Sequence, residues 1–219
     1  VKSSEFPNYT VVMPIMSFLT VFMHQLGKEL LEQALGLLEE VIRLRGKPFQ
    51  HFVVCGGSSL LALELVSRTT TKDVDILARL EGGEFVQAKP LPDWVNEAAE
   101  EVREELDLPE HWFNTGPADE SFFRSGFPQG IETRLTTQSY GRALSISYIS
   151  RYDQIFFKLY AAADQGGKHF LDLKELNPTS DELLEAARWT RVHDSSEGFL
   201  FILGETLNLL GHADLIEQL

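Results

Sequence analysis

The sequence predicts an α/β fold of the α+β type, with a mixed β-sheet core flanked by helices and a C-terminal helical part. Three observations predict it. Residues 26–45 carry apolar side chains at helical spacing over a wide stripe. Short stretches rich in β-branched and aromatic residues, 49–55 and 73–79, alternate with helical segments, and a hairpin follows within 131–149. From residue 153 onward the pattern is helical, so helices collect after the sheet.

Length and composition indicate how the chain is organised. A chain of 219 residues, 43% of them hydrophobic, fits one large domain or one core with an appendage. We expect an N-terminal arm at 1–23, an α/β core at 24–150, and a helical region packed on the core at 151–219. No apolar run reaches the roughly 18 residues of a membrane span, and the run at 11–23 contains a proline. We therefore expect no membrane association.

The chain contains one cysteine, Cys55, so no disulfide can form within it. This favours a reducing compartment and predicts a cytoplasmic location. Cys55 ends the apolar run FVVC. A buried small hydrophobic side chain is therefore a better interpretation of Cys55 than a nucleophile.

The charge is strongly acidic overall but uneven along the chain. The net charge is −14, which makes the protein a poor general nucleic-acid binder. Residues 81–120 carry twelve acids against two bases, whereas residues 124–174 carry seven bases against four acids. The second region could still accommodate a ligand that bears phosphate.

The elements of the first half follow from local signals. The first helix ends where Gly46 and Pro48 interrupt its pattern. After the strand 49–55, the Gly-Gly pair is predicted to form a turn, and Ser58 or Ser59 the N-cap of a short helix. The threonines at 69–71 break the chain before the second strand.

The later elements are predicted in the same way. A loop is expected over 80–92, an acidic amphipathic helix over 93–107, and further loop over 110–130. The stretches 131–137 and 143–149 read as the two strands of a hairpin. Helices then follow, with a break at Gly166-Gly167 and a capping-box spacing from Thr179 to Glu182.

The candidate chemistry lies between the first two strands. On a strand, residues two apart face the same side, so Asp73 and Asp75 project together while Val74 points into the core. Two adjacent carboxylates repel each other, and a divalent cation such as Mg²⁺ or Mn²⁺ relieves that repulsion. The upstream Gly56-Gly57 lets backbone N–H groups approach a phosphate closely. An alternative is a plain turn followed by exposed acids at a strand end.

This combination resembles the nucleotidyltransferase superfamily. The matching residues are Cys55-Gly56-Gly57-Ser58 and Asp73-Val74-Asp75-Ile76. The intervening stretch is most similar to the branch of bacterial abortive-infection and type IV toxin nucleotidyltransferases, a similarity carried by Leu60, Leu61, Arg68 and Thr71. The resemblance implies a nucleotidyltransferase-like sheet core.

A second segment, residues 153–175, resembles the same branch at Lys158, Lys168, His169 and Asp172. The resemblance implies that Lys158 touches a triphosphate and that Asp172 supports the site. An alternative for Lys158 is a side chain that extends its charge to solvent from an apolar helix face.

A third carboxylate is common in the superfamily, and Glu132, expected on a strand, is the candidate here. Arg134 could equally form a surface ion pair with Glu132.

The resemblance implies transfer of a nucleoside monophosphate from an NTP to a hydroxyl of a tRNA 3′ end, a protein or a small molecule. Asp73 and Asp75 would hold Mg²⁺ or Mn²⁺. The nucleotide would contact Gly56, Gly57, Ser58, Ser59, Arg68, Thr71 and Lys158. A toxin-type or defence-related enzyme with an antitoxin-like partner protein is implied. The alternative function is a catalytically inactive module of this fold that binds nucleotide or a protein partner, because Asp164 and Gln165 stand where the family carries an Arg.

Overall fold

The computed structural model describes residues 25–219, so the N-terminal arm expected at 1–23 lies outside the described residues. The expected fold class is confirmed: a mixed sheet is flanked by helices, and helices follow it. No helix in the described part of the chain combines the length and apolar character needed to cross a membrane.

The strands are short. They are β1 (Leu26–Gly27), β2 (Gln50–Cys55), β3 (Thr70–Thr71), β4 (Val74–Glu81), β5 (Glu84–Val86), β6 (Phe113–Asn114), β7 (Thr136–Ser139) and β8 (Leu144–Tyr148).

The helices are α1 (Lys28–Leu44), α2 (Gly56–Ala62), α3 (Asp93–Leu106), α4 (Glu120–Ser125), α5 (Arg151–Gln165), α6 (Lys168–Glu175), α7 (Ser180–His193) and α8 (Glu197–Leu209). Two 3₁₀ helices add Ile131–Arg134 and Ala213–Gln218.

The main sheet has the order β5-β4-β2-β8-β7, and β6 pairs with β4 beyond the end of β5. β2 runs parallel to β8 and antiparallel to β4, which makes the sheet mixed. β1 and β3 form a separate antiparallel pair. This pairing ties the start of the described chain to the segment just before the Asp73 and Asp75 pair.

Alternating side chains of β2 bury both faces of the sheet. Phe52 and Val54 join the core beneath α1 and α3, whereas Val53 and Cys55 pack on the opposite face with Phe122 of α4. The last helices enclose a separate apolar cluster between α5, α7 and α8. The sheet therefore has helices on both sides, and α5 links it to the C-terminal helices.

Several local expectations are confirmed. The helices predicted at 26–45 and 93–107 form within a residue or two of those bounds. Thr179 caps α7 with the predicted capping box, in which its hydroxyl accepts from the Glu182 N–H and the Glu182 carboxylate accepts from the Thr179 N–H.

Other local expectations are wrong. Residues 131–134 form a 3₁₀ helix after Gly130, which adopts φ +74°, so the hairpin begins only at Thr136. The expected break at 69–71 contains β3, the expected loop at 80–92 contains β5, and the expected loop at 110–130 contains β6 and α4. These elements have two to six residues, too few for a period to show in the sequence. Neither Ser58 nor Ser59 is an N-cap, because α2 begins at Gly56 after Cys55. For the same reason Gly56-Gly57 is not a separate turn before the helix but part of the first helical turn of α2.

Candidate functional site

A cleft of about 930 Å³ opens where β2 ends and β4 begins. Segments far apart in the sequence line it: the start of α2, the stretch around β3 and β4, residues 116–122 at the start of α4, helix α5 and helix α6. Most of the predicted site residues lie in its wall, namely Gly56, Gly57, Arg68, Thr71, Asp73, Asp75, Lys158 and Asp172. The fold thus collects side chains that the sequence separates by about a hundred positions.

Gly56 and Gly57, the first residues of α2, pack directly against the segment that carries Thr71, Asp73 and Asp75. Gly56 adopts φ +68°, and a Cβ built on it would lie 2.3 Å from Asp75 Oδ2. A Cβ on Gly57 would lie 2.5 Å from Thr71 Oγ1. Because real side-chain atoms do not approach so closely, a side chain at either position would displace Asp75 or Thr71, and at Gly56 the positive φ adds strain. The exposed backbone of this turn borders the cleft beside the carboxylates.

Asp73 and Asp75 lie on either side of the buried Val74, at the start of β4. This is the arrangement that the two-residue period predicts. Burial, and secondly the nearby negative charge of Asp73, raise the pKa of Asp75 to about 6, while a hydrogen bond from Asn114 opposes the shift. Asn114 Nδ2 donates to Asp75 Oδ1 at 3.3 Å. The negative charges of Asp73 and Asp75 therefore repel each other, and a bound cation would relieve that repulsion.

Asn114 is a functional candidate that the sequence does not reveal. It reaches Asp75 only because β6 pairs with β4 in register, opposite Asp75. A two-residue strand leaves no pattern in the sequence, so no local signal could have identified it.

An ion cluster of Arg68, Lys158 and Asp172 also lines the cleft. Lys158 is 3% exposed, and its Nζ lies 2.8 Å from Asp172 Oδ2. Arg68 Nη2 lies 2.5 Å from the other oxygen of the same carboxylate. The alternative of a lysine that extends to solvent is therefore wrong. Asp172 forms ion pairs with both cations beside the cleft.

His169, next to this cluster, has a low proton affinity. Burial, followed by the positive charges of Lys158 and Lys168, lowers its pKa to about 4. The imidazole is therefore neutral at physiological pH, so it adds no charge to the basic wall.

Three predicted residues do not present side chains to the cleft. Ser58 and Ser59 are fully buried, and their hydroxyls donate to the backbone carbonyls of Cys55 and Ile149. Glu132 is exposed on the 3₁₀ helix outside the cleft wall. The surface ion pair considered for it is absent, because Arg134 binds the buried Asp153 at 2.6 Å.

The donor set agrees with a cation shared with a substrate. Within residues 25–219 no group of three or more His, Cys, Asp or Glu side chains is arranged to hold a metal. Asp73 and Asp75 offer two carboxylates. Mg²⁺ commonly takes one or two carboxylates and completes its shell with water and substrate phosphates, so the residues present fit that mode of binding.

An aromatic surface lines another part of the cleft, with Phe122, Phe157 and Tyr160 in its wall. The Phe122 and Phe157 ring centroids are 5.3 Å apart in a T-shaped contact. Phe122 comes from α4, which sequence patterns did not predict, so this surface was also missed.

Comparison with known protein families, with curated proteins and with solved structures finds no match.

Proposed function

We propose that the protein is a Mg²⁺-dependent nucleotidyltransferase that moves a nucleoside monophosphate from an NTP to a hydroxyl acceptor. One observation carries the proposal: the Gly56-Gly57 turn, the Asp73 and Asp75 pair and the buried Lys158 meet in a single cleft. Each of these groups suits a different part of a metal-bound triphosphate.

The roles of the protein groups follow from their positions. The backbone of Gly56 and Gly57 can approach phosphate oxygens because no Cβ intervenes. Lys158 would supply positive charge to the triphosphate, since its ammonium lies in the cleft wall and Asp172 fixes its position. Arg68 shares that carboxylate and adds a second positive charge beside the same wall.

Asp73 and Asp75 would hold Mg²⁺ or Mn²⁺. When bound, such a cation neutralises phosphate charge and stabilises the developing charge on the attacking and leaving oxygens. The raised pKa of Asp75 means that the cation must compete with a proton below about pH 6. Asn114 would orient the Asp75 carboxylate through its hydrogen bond.

The acceptor remains one of three classes: a tRNA 3′ end, a protein hydroxyl or a small-molecule hydroxyl. A cytoplasmic toxin-type or defence role, with an antitoxin-like partner protein, forms part of the same proposal. Co-purification of the protein with products of neighbouring genes would test the partner.

Calorimetric titration with NTPs tests the nucleotide site. The wild type should bind at least one NTP in the presence of Mg²⁺, and EDTA should weaken that binding at least tenfold. The Asp73→Asn/Asp75→Asn variant should bind no more tightly with Mg²⁺ than without it. If this variant keeps the full Mg²⁺ effect, the carboxylates do not form the metal site and the proposal fails.

The second candidate is a nucleotide-binding module of the same fold without turnover. The position of Glu132 favours it, because the one predicted third carboxylate lies outside the cleft. For this candidate, Mg²⁺-dependent binding should occur but no NTP should release pyrophosphate in the presence of RNA, protein or small-molecule acceptors.

A further inference from the structure

Gln154 has a polar side chain that the fold leaves unused. It is fully buried on α5, and neither its Oε1 nor its Nε2 finds a hydrogen-bond partner among residues 25–219. Buried amides nearly always pair, because an unpaired donor and an unpaired acceptor each lose their interaction with water. An unpaired, buried amide next to a cleft suggests that a ligand provides its hydrogen-bond partners.

Gln154 lies in the wall of the cleft, on the same helix face as Lys158. The two residues are one helical turn apart, roughly 6 Å along the axis. A glutamine side chain has several rotatable bonds, so a change of rotamer can turn its amide towards a ligand without moving the helix. A molecule whose phosphates reach Lys158 could therefore place another part near Gln154.

Part of the aromatic surface lies on the same helix as Gln154. Phe157 is one turn from Gln154 on α5 and also lines the cleft. Phe122 contacts it from α4, and Trp189 stacks behind Phe122 with ring centroids 5.7 Å apart and planes 8° from parallel. This packing holds the wall rigid, and rigid aromatic walls are suitable surfaces for nucleobases.

We propose that this part of the cleft is a nucleobase subsite in which the Gln154 amide pairs with the edge of adenine. The inference rests on the proposed function, because it assigns the base of the nucleotide whose phosphates bind near Lys158.

The chemistry favours adenine. A glutamine amide offers a donor beside an acceptor, which matches the N6 amino group and a ring nitrogen of adenine in a two-bond pair. The carboxylates of Asp119 and Asp164 also line the cleft. Their oxygens can accept from the N6 amino group of adenine, and uracil carries no amino group.

Titration with ATP, UTP and inorganic tripolyphosphate, each with Mg²⁺, tests the subsite. The wild type should bind ATP about tenfold more tightly than UTP or tripolyphosphate. Gln154→Leu should lose about tenfold in ATP affinity and leave tripolyphosphate affinity unchanged. Gln33→Leu makes the same chemical change at an exposed position of α1 outside the cleft, and should change neither affinity.

Two results would overturn the inference: a Gln154→Leu variant that binds ATP as tightly as the wild type, or a wild type that binds UTP as tightly as ATP. If Gln154→Leu does not fold, Gln154→Met replaces it, because methionine has similar length and flexibility without hydrogen-bonding groups.

The same titrations separate this inference from the proposed function. If the wild type binds neither tripolyphosphate nor any NTP, the proposed function itself fails. If tripolyphosphate binds and ATP binds no more tightly, the phosphate site stands and the adenine subsite alone is wrong.

Discussion

Gly56 and Asp75 are in such close contact that a Cβ on Gly56 would lie 2.3 Å from Asp75 Oδ2. The contact joins the turn after β2 to the first residues of β4, where Cys55 and Asp75 are partners in the antiparallel ladder. The glycine turn and the carboxylate pair are therefore one structural unit. A side chain introduced at Gly56 should therefore displace the Asp75 carboxylate.

Gly56→Ala should destabilise the protein more than an alanine substitution at a glycine that has a left-handed φ but no close neighbour. Its φ of +68° costs about 1–2 kcal/mol for alanine, and the clash with Asp75 should add at least about 1 kcal/mol. Gly46→Ala is the matched control, because Gly46 has φ +60° with no atom within 4 Å of a built Cβ. Urea denaturation measures both variants, and equal losses would show that the Asp75 contact is unimportant.

Asp75→Asn should stabilise the protein near neutral pH in the absence of divalent cations. The folded-state pKa of about 6 exceeds the ordinary 3.8. The stability linked to Asp75 is therefore complete below about pH 4 and is lost as pH rises through about 6. The lost amount is roughly 2–3 kcal/mol. The gain from Asp75→Asn should therefore appear at pH 8 and vanish at pH 4.

Denaturation in EDTA at several pH values measures this gain. Glu105→Gln removes an exposed acid outside the cleft, and serves as the control. An Asp75→Asn variant that is less stable than the wild type at pH 8 would show that the Asp75 carboxylate does not destabilise the folded protein.

Asp172→Asn should destabilise the protein more than Lys158→Met. Without the carboxylate, the buried Lys158 ammonium loses its partner and Arg68 loses its own, a change that costs about 3–5 kcal/mol. Without Lys158, Asp172 still pairs with Arg68, so the loss should be about 1–2 kcal/mol. Guanidinium denaturation of both variants compares them, and a larger loss for Lys158→Met would contradict this assignment.

Cys55 should be chemically inert in the folded protein. Burial, and secondly the negative charge of Asp75, raise the pKa of its thiol far above the usual range, which suppresses the reactive thiolate. Because it is the chain's one cysteine, iodoacetamide labelling followed by mass spectrometry reads it directly. Labelling at pH 8 should be slow in buffer and fast in urea, and rapid labelling of the folded protein would contradict the prediction.

Local spacing predicted the acidic half of the site. Asp73, Asp75 and the Gly56-Gly57 turn lie within one strand–helix–strand stretch, where alternation and turn chemistry set the geometry. Lys158 and Asp172 required the resemblance of a second segment, because no period in the sequence indicates that α6 folds back beside Arg68.

Other parts could not be predicted because they depend on tertiary contacts. Asn114 reaches Asp75 through a two-residue strand, and Phe122 reaches the cleft on a six-residue helix. Glu132 was misassigned because its stretch alternates like a strand, while Gly130 begins a 3₁₀ turn instead. Gln154 carries no sequence signal, since its proposed role depends on its place in the cleft and on the lack of a partner among the described residues.

The most direct test of nucleotidyl transfer follows the α- and γ-phosphates separately. The protein is incubated with Mg²⁺ and NTPs labelled at either position, together with RNA, protein and small-molecule acceptor fractions. The α-label should enter one acceptor fraction with release of pyrophosphate, and Asp75→Asn should abolish this transfer. Transfer of γ-label, or no transfer from any NTP to any fraction, would contradict the account.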